Sequence, residues 1–171
     1  ASPSLGLGMS KEIFESMTRF GVTRGADDES MKRAMVAVSQ MAGKGKVGAE
    51  ELRQQLGDAQ GFGEMQSIFA EAYQYSLGKD ENTAAKGQKA LEELYDAMQK
   101  GNVYSSKILP FVKDIANRKA DIGIEEARYS AGAERARFQN RMSEGWKEFT
   151  ANGGSDGLAL FWRMAQLAAD W

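Results

Sequence analysis

Apolar residues recur at helical spacing along most of this 171-residue chain. In the segment 11–21 they stand three or four positions apart, so they share one face of a helix. The same period returns in the segments 27–43, 64–78 and 88–101, and no segment alternates between apolar and polar residues as a strand does. The sequence therefore predicts an all-α fold, a compact multi-helix domain with a long helical C-terminal extension.

Local signals predict where several helices begin and end. Ser10 is expected as the N-cap of the first helix, and Gly21 as its stop. The segment Ala49–Gly57 reads as a short helix with Leu52 and Leu56 inward. Pro110 is expected in the first turn of its helix, because proline is tolerated there.

Composition narrows the possible functions. The chain is 42% hydrophobic and 27% charged, which can form a packed core, and its formal net charge is −2. It contains no cysteine and no histidine, so disulfides, thiolate metal sites and the usual general base are excluded. Only carboxylates, lysine, tyrosine and serine remain as catalysts. We therefore predict a protein that is not an enzyme and has no catalytic, metal or cofactor-binding residues.

The stretch "MAGKGKVGAEELRQQLG" contains a G-x-G-x-x-G pattern at Gly43, Gly45 and Gly48. A dinucleotide-binding turn needs a strand before its first glycine. Here the preceding "AMVAV" lies within a run of helical period, and no βαβ pattern follows. The glycines therefore indicate a turn between two helices, and no nucleotide is expected to bind.

An internal repeat favours the same interpretation. "KGKV" at residues 44–47 returns as "KGNV" at residues 100–103, each time after an apolar-faced helix and before an apolar residue, Leu52 or Ile108. We expect Gly45 and Gly101 to adopt the left-handed conformation that ends a helix. We also expect Val47 and Val103 to point into the core.

Around these turns the sequence resembles the tape measure domain of phage tail tape measure proteins. The resemblance covers about residues 9–117, predicted as one helical domain with two Lys-Gly-x-Val helix-turn-helix units, and more loosely the chain to residue 152. The structural motif that it implies comprises Lys44, Gly45, Val47, Leu52, Lys100, Gly101, Val103, Ile108, Leu109 and Pro110. Further matching residues are Gln40, Met41, Glu50, Glu51, Arg53, Gln54, Gln55, Leu56, Gly57, Met98, Ser105 and Ser106.

The resemblance implies a structural role. Such proteins line the lumen of the growing tail tube, help to set tail length, organise tail assembly and leave the tube during DNA ejection. The implied location is the tail of the virion, and the host cytoplasm during assembly. The implied partners are other copies of the chain, tail-tube proteins and a tail assembly chaperone. We expect the sequence to be a piece of a longer protein.

Residues 118–171 are predicted as a helical extension, with a long helix at about 124–152 and an apolar amphipathic helix at about 157–171. The second is too short for a membrane span, although segments beyond residue 171 could contact a membrane. The large apolar side chains predict a surface for self-association. That interaction surface comprises Phe138, Met142, Trp146, Phe149, Phe161 and Trp162.

A second function stays open from the residues alone, a helical adaptor or regulator that binds a protein partner or nucleic acid. Acidic residues interleave with the arginines between residues 128 and 141, which disfavours nucleic acid. Glu50 and Glu51 are read as solvated acids that interact with a helix dipole, not as a catalytic pair.

Overall fold

The computed structural model describes residue 5 and residues 7–127, with side chains described at residues 5 and 8–122. Five α-helices lie in this range, namely α1 (Leu7–Thr23), α2 (Asp28–Lys44), α3 (Met65–Ser76), α4 (Gly87–Gln99) and α5 (Ser105–Ala127). A π-helix, Glu51–Leu56, lies between α2 and α3. The described residues contain no strand, only an isolated antiparallel bridge between Lys46 and Tyr104. The predicted all-α fold is confirmed.

The helices enclose one hydrophobic core. α1 packs against α2 and α5, α3 packs against α4 and α5, and the π-helix lies against α2 and α3. Burial of apolar side chains of this size favours folding by roughly 1.5–3 kcal/mol each. The largest fully buried side chains are those of Phe20, Phe62, Phe69, Met17, Met41, Leu52, Leu56, Met65, Ile68, Leu94 and Ile108.

Polar side chains align α1 with α5. The Arg19 guanidinium donates to Asn117 Oδ1 at 3.0 Å and pairs with Asp121. Seven residues earlier in α1, Glu12 accepts from Lys113 Nζ at 3.4 Å. Contacts therefore advance in the same direction along both helices, which run side by side and parallel.

Both boundaries predicted for the first helix are wrong. Ser10 is not an N-cap, since α1 begins at Leu7 and Ser10 is buried within it. Gly21 is not a stop either, because α1 continues to Thr23 and the chain turns at Gly25, which has a φ of 74°. Gly21 is needed for close packing. A Cβ there would lie 2.5 Å from Phe62 Cζ and 2.7 Å from Met31 Cε.

The expectation that Pro110 lies in the first turn of its helix is wrong. Pro110 lies inside the helix and not in its first turn, which is built by the Tyr104 carbonyl accepting from the Lys107 and Ile108 amides at 3.0 and 3.1 Å. The helix continues past the proline because packing outweighs one lost backbone bond, and Leu109 and Val112 are fully buried. α5 also passes unbroken through residues 117 and 118, so residues 118–127 of the predicted extension continue this helix. The domain bounds themselves stay a prediction.

The segment Ala49–Gly57 is helical, but its main part is a π-helix instead of the expected α-helix. The Gly57 amide donates to the Leu52 carbonyl, five residues back, at 2.9 Å. Leu52 and Leu56 are both buried, as the sequence predicted. Short π-helical stretches are uncommon and often lie at functional sites.

A buried amide organises the loop between α3 and α4. Gln74, fully buried near the end of α3, accepts from Lys79 Nζ at 2.8 Å and from the Ala85 amide at 3.0 Å. Its own amide donates to Glu93 of α4 at 2.6 Å. The Gln74 side chain thus forms hydrogen bonds to both ends of the loop, at Lys79 and Ala85, and to α4, at Glu93.

Candidate functional site: the paired Lys-Gly-x-Val turns

Both Lys-Gly-x-Val turns end their helices with a left-handed glycine. Gly45 has a φ of 72° and Gly101 a φ of 68°, as the repeat predicted. After α4 the Gly101 amide donates to the Met98 carbonyl and the Asn102 amide to the Ala97 carbonyl, each at 3.0 Å. These two bonds form a Schellman motif, which satisfies the last carbonyls of the helix.

The two turns bind each other. The bridge between Lys46 and Tyr104 is antiparallel, and the Val47 amide donates to the Val103 carbonyl at 3.0 Å. In this register Val47 lies opposite Val103, so the equivalent residues of the two repeats face one another. Both valines are buried, at 3% and 2% exposure. The sequence repeat therefore forms a direct contact in the folded chain.

Ser105 completes the end of α2 from the other turn. Its hydroxyl donates to the Met41 carbonyl at 2.6 Å, and its amide donates to the Gly45 carbonyl at 3.1 Å. The side chain is buried, whereas the hydroxyl of the adjacent Ser106 has no hydrogen-bond partner. An orphan carbonyl of one unit is thus satisfied by a side chain of the other. Ser105 matches the tape measure pattern in the sequence, but this contact was not predicted from it.

Glu51 differs from its expected role as a solvated acid. Glu50 is exposed, but Glu51 is buried and forms an ion pair with Lys44. Burial raises the pKa of Glu51, but the hydrogen bond from Lys44 and one from its own backbone amide outweigh burial and hold it below its ordinary value. The pair ties the end of α2 to the start of the π-helix.

The three glycines of the G-x-G-x-x-G pattern serve separate local purposes. Gly43 lies inside α2 with open space around the position of a Cβ. Gly45 forms the left-handed end of α2. Gly48 leaves room for Glu51, since a Cβ there would lie 2.1 Å from a carboxylate oxygen of Glu51. The "AMVAV" stretch is part of α2, so this pattern lacks the strand of a dinucleotide-binding turn.

The other predicted motif residues divide between the core and the surface. Leu52, Ile108 and Leu109 are buried in the same hydrophobic core as Val47 and Val103. Lys100 is exposed and binds Asp96 Oδ2 at 2.7 Å. Pro110 is half-buried in α5.

A basic and aromatic surface covers the outside of the paired turns. Lys46 Nζ lies 5.6 Å from the centre of the Tyr104 ring, and Lys107 Nζ lies 5.4 Å from it. Beside the turns, the Arg53 guanidinium lies 3.9 Å from the centre of the Tyr95 ring. The sequence did not predict the contact of Lys46 with Tyr104, because these residues are 58 positions apart and meet only when the two turns pair.

The described part of the chain contains neither a metal-binding cluster nor a membrane-spanning helix. Among its side chains, no group of three or more histidine, cysteine, aspartate or glutamate residues could hold a metal ion. None of the helices described there is both long enough and apolar enough to cross a membrane. The predicted interaction surface lies outside the described residues, namely Phe138, Met142, Trp146, Phe149, Phe161 and Trp162.

Comparison with known proteins gives one informative relative. Over 114 residues, which are 67% of this chain, the sequence is 39% identical to a probable tape measure protein of Salmonella phage Felix O1. The aligned stretch covers 13% of that protein. No family model matches the chain, and no solved structure matches it. The chain is therefore similar to one segment of a probable phage tape measure protein, in agreement with the resemblance seen in its motifs.

Proposed function

We propose that this chain is a structural segment of a phage tail tape measure protein. The similarity to the Felix O1 protein is the observation that supports this most strongly. In this role the chain belongs to the virion tail, is present in the host cytoplasm during assembly and has no catalytic activity. The longer protein of which it forms part helps to set tail length, organises tail assembly and is released during DNA ejection.

The geometry of the paired turns supports a structural role. The residues of the two turns end their helices, bury Val47 against Val103 and donate the hydrogen bond from Ser105 to the Met41 carbonyl. These contacts hold the helices together. On this proposal the segment is a folded unit within a long helical protein, and its partners are other copies, tail-tube proteins or an assembly chaperone.

Tail length tests the proposal directly. In the genome that encodes the chain, 40 residues are deleted in frame from the sequence flanking it, and tails are measured by electron microscopy. A helical tape measure rises about 1.5 Å per residue, so the tails should be about 60 Å shorter. Peptides of residues 1–171 should be present in purified virions. Tails of unchanged length, or virions without these peptides, would contradict the proposal.

The role of this segment is tested separately with Val47→Asn in the full-length protein. A polar group forced into the core should unfold the paired turns and yield missing or irregular tails. Val22→Asn is the matched control, because Val22 is 41% exposed and the same change there should leave the tails normal. Normal tails with both variants would mean that the fold described here is not needed for tail assembly.

A further inference from the structure

Lys46 and Lys107 are two cations without a carboxylate partner in the described part of the chain. Both are exposed, and both ammonium groups lie against the Tyr104 ring. By contrast, Lys44 and Lys100, which flank the same turns, are each neutralised by an acid. Lys46, Tyr104 and Lys107 form a surface that is called the basic surface below. Its positive charge is therefore available to bind an acidic partner.

The basic surface is held on a fixed backbone. Lys46 and Tyr104 are the two residues of the antiparallel bridge, and the adjacent Val47 and Val103 are buried. A Cβ at Gly101 would lie 3.3 Å from Lys46 Nζ, so the lysine lies across a residue without a side chain. A partner would meet charges that are already positioned, which lowers the entropic cost of binding.

The other end of α2 has the opposite charge. Asp27, Asp28 and Glu29 are consecutive and exposed at its start. Asp27 accepts the Ser30 amide as the helix N-cap, at 2.7 Å, while Asp28 and Glu29 have no cation partner among the described residues. These three residues are called the acidic end below. α2 has 17 residues, so the acidic end and the basic surface are about 25 Å apart and cannot meet within one copy.

We infer that the basic surface docks the acidic end of a second copy of this chain. The two surfaces complement each other in charge and lie at opposite ends of one rigid helix. A contact between different surfaces of identical chains is heterologous, so it repeats into a row or closes into a ring. The inference needs only the charges described here and does not depend on the proposed function.

Such a contact is weak and sensitive to salt. Exposed ion pairs contribute little individually, and salt screens them over about 10 Å at 0.1 M ionic strength. Association through an apolar surface behaves differently, because added salt does not weaken it in this way. Salt dependence therefore separates this contact from any association through the apolar C-terminal residues.

Sedimentation of the whole chain at rising concentration, in low and in high salt, tests the inference. One variant reverses the basic surface, Lys46→Glu with Lys107→Glu, and another reverses the acidic end, Asp28→Lys with Glu29→Lys. Asp27 is left unchanged because it caps α2. The matched control is Lys86→Glu with Lys89→Glu. It makes the same change of charge at the start of α4, whereas the turn lies at the end of that helix. Circular dichroism checks that every variant is folded.

The wild type and the control should gain mass with concentration in low salt and lose that gain in high salt. Each reversed variant alone should show no salt-dependent gain in mass, and an equimolar mixture of the two should regain it. A wild type that is monomeric throughout, reversed variants that associate like the wild type, or a control that fails equally would each overturn the inference. A single-stranded oligonucleotide that binds a monomeric wild type through Lys46 and Lys107 would also overturn it.

Discussion

Gly101 and Gly43 are both glycines of the repeat region, yet alanine should have opposite effects at the two positions. Gly101 has a φ of 68°, where a side chain is strained, so Gly101→Ala should lower the free energy of unfolding by roughly 1 kcal/mol. Gly45→Ala, at a φ of 72°, should do the same. Urea denaturation followed by circular dichroism measures both changes.

Gly43→Ala is the control for that comparison. Gly43 lies within α2, and nothing lies within 4 Å of the position of its Cβ. Alanine should therefore stabilise the chain by up to about 1 kcal/mol through its higher helix propensity. Equal effects at positions 43 and 101 would mean that the left-handed helix end is unimportant for stability.

Glu51 makes the stability of the fold depend on pH. Its folded-state pKa lies below its ordinary value of 4.5, so its contribution is present above that value and is lost as the pH falls through the folded-state pKa. Glu51→Gln should reduce stability at pH 7 by on the order of 1 kcal/mol, and the difference from the wild type should shrink in acid. Glu50→Gln changes the exposed neighbour and should alter stability little at either pH. Urea titrations between pH 3 and about 7 give the comparison, and a difference that grows in acid would contradict this account.

Ser105 shows how one hydroxyl can join two elements. Ser105→Ala removes the donor to the Met41 carbonyl, so a buried acceptor loses its partner, at a cost of about 1–2 kcal/mol. Ser106→Ala removes a hydroxyl that has no partner and should change stability by less than about 0.5 kcal/mol. Thermal unfolding of the two variants distinguishes them, and equal melting temperatures would count against the role of Ser105.

At the scale of elements, α1 depends on a glycine inside the helix. Gly21→Ala would favour the helix by its propensity, but the added methyl group would collide with Phe62 and Met31. We expect a net loss of about 1–3 kcal/mol, which chemical denaturation can measure. Phe62→Leu should recover part of that loss in the double variant by making room. A double variant whose loss is the sum of the two single losses would show that no collision occurs.

Helical period was a reliable guide to most elements and a poor guide to their ends. The segments predicted at 27–43, 64–78 and 88–101 correspond to α2, α3 and α4 within one or two residues at each end. Gly21 was misread because a glycine that stops a helix and one that admits a neighbouring ring look alike in sequence. The π-helix was missed because its Leu52 and Leu56 also fit an α-helical period.

The candidate site was predictable only as two separate turns. The repeat indicated the left-handed glycines and the inward valines, since both are local properties. That Val47 would lie opposite Val103, or that Ser105 would satisfy a carbonyl of α2, depends on contacts between residues 56 and 64 positions apart, respectively. The pattern of residues along the sequence does not predict such long-range contacts, and it does not predict the contact of Lys46 with Tyr104 either.

At the scale of the whole molecule, one prediction concerns the C-terminal residues outside the described range. If the apolar surface at Phe138 and Trp146 joins copies, Phe138→Ser with Trp146→Ser should reduce the mass measured by light scattering. If it covers the chain's own core, the same variant should stay monomeric and melt at a lower temperature. No change in mass or in melting temperature would show that these side chains are not buried in either way. High salt should not disperse this association, in contrast to the contact between the ends of α2.

The direct contact between the two turns also restricts how the sequence can evolve. Duplicated motifs usually diverge once one copy is free to change, but here Val47 is the neighbour of Val103, and Lys46 is the neighbour of Tyr104. A substitution in either turn changes the surroundings of the other, so the tolerated second change depends on the first. Lys79 and Ala85 of the intervening loop bind Gln74 instead, so they are coupled to that residue and not to the turns. Among descendants of this sequence, the two turns must therefore drift together.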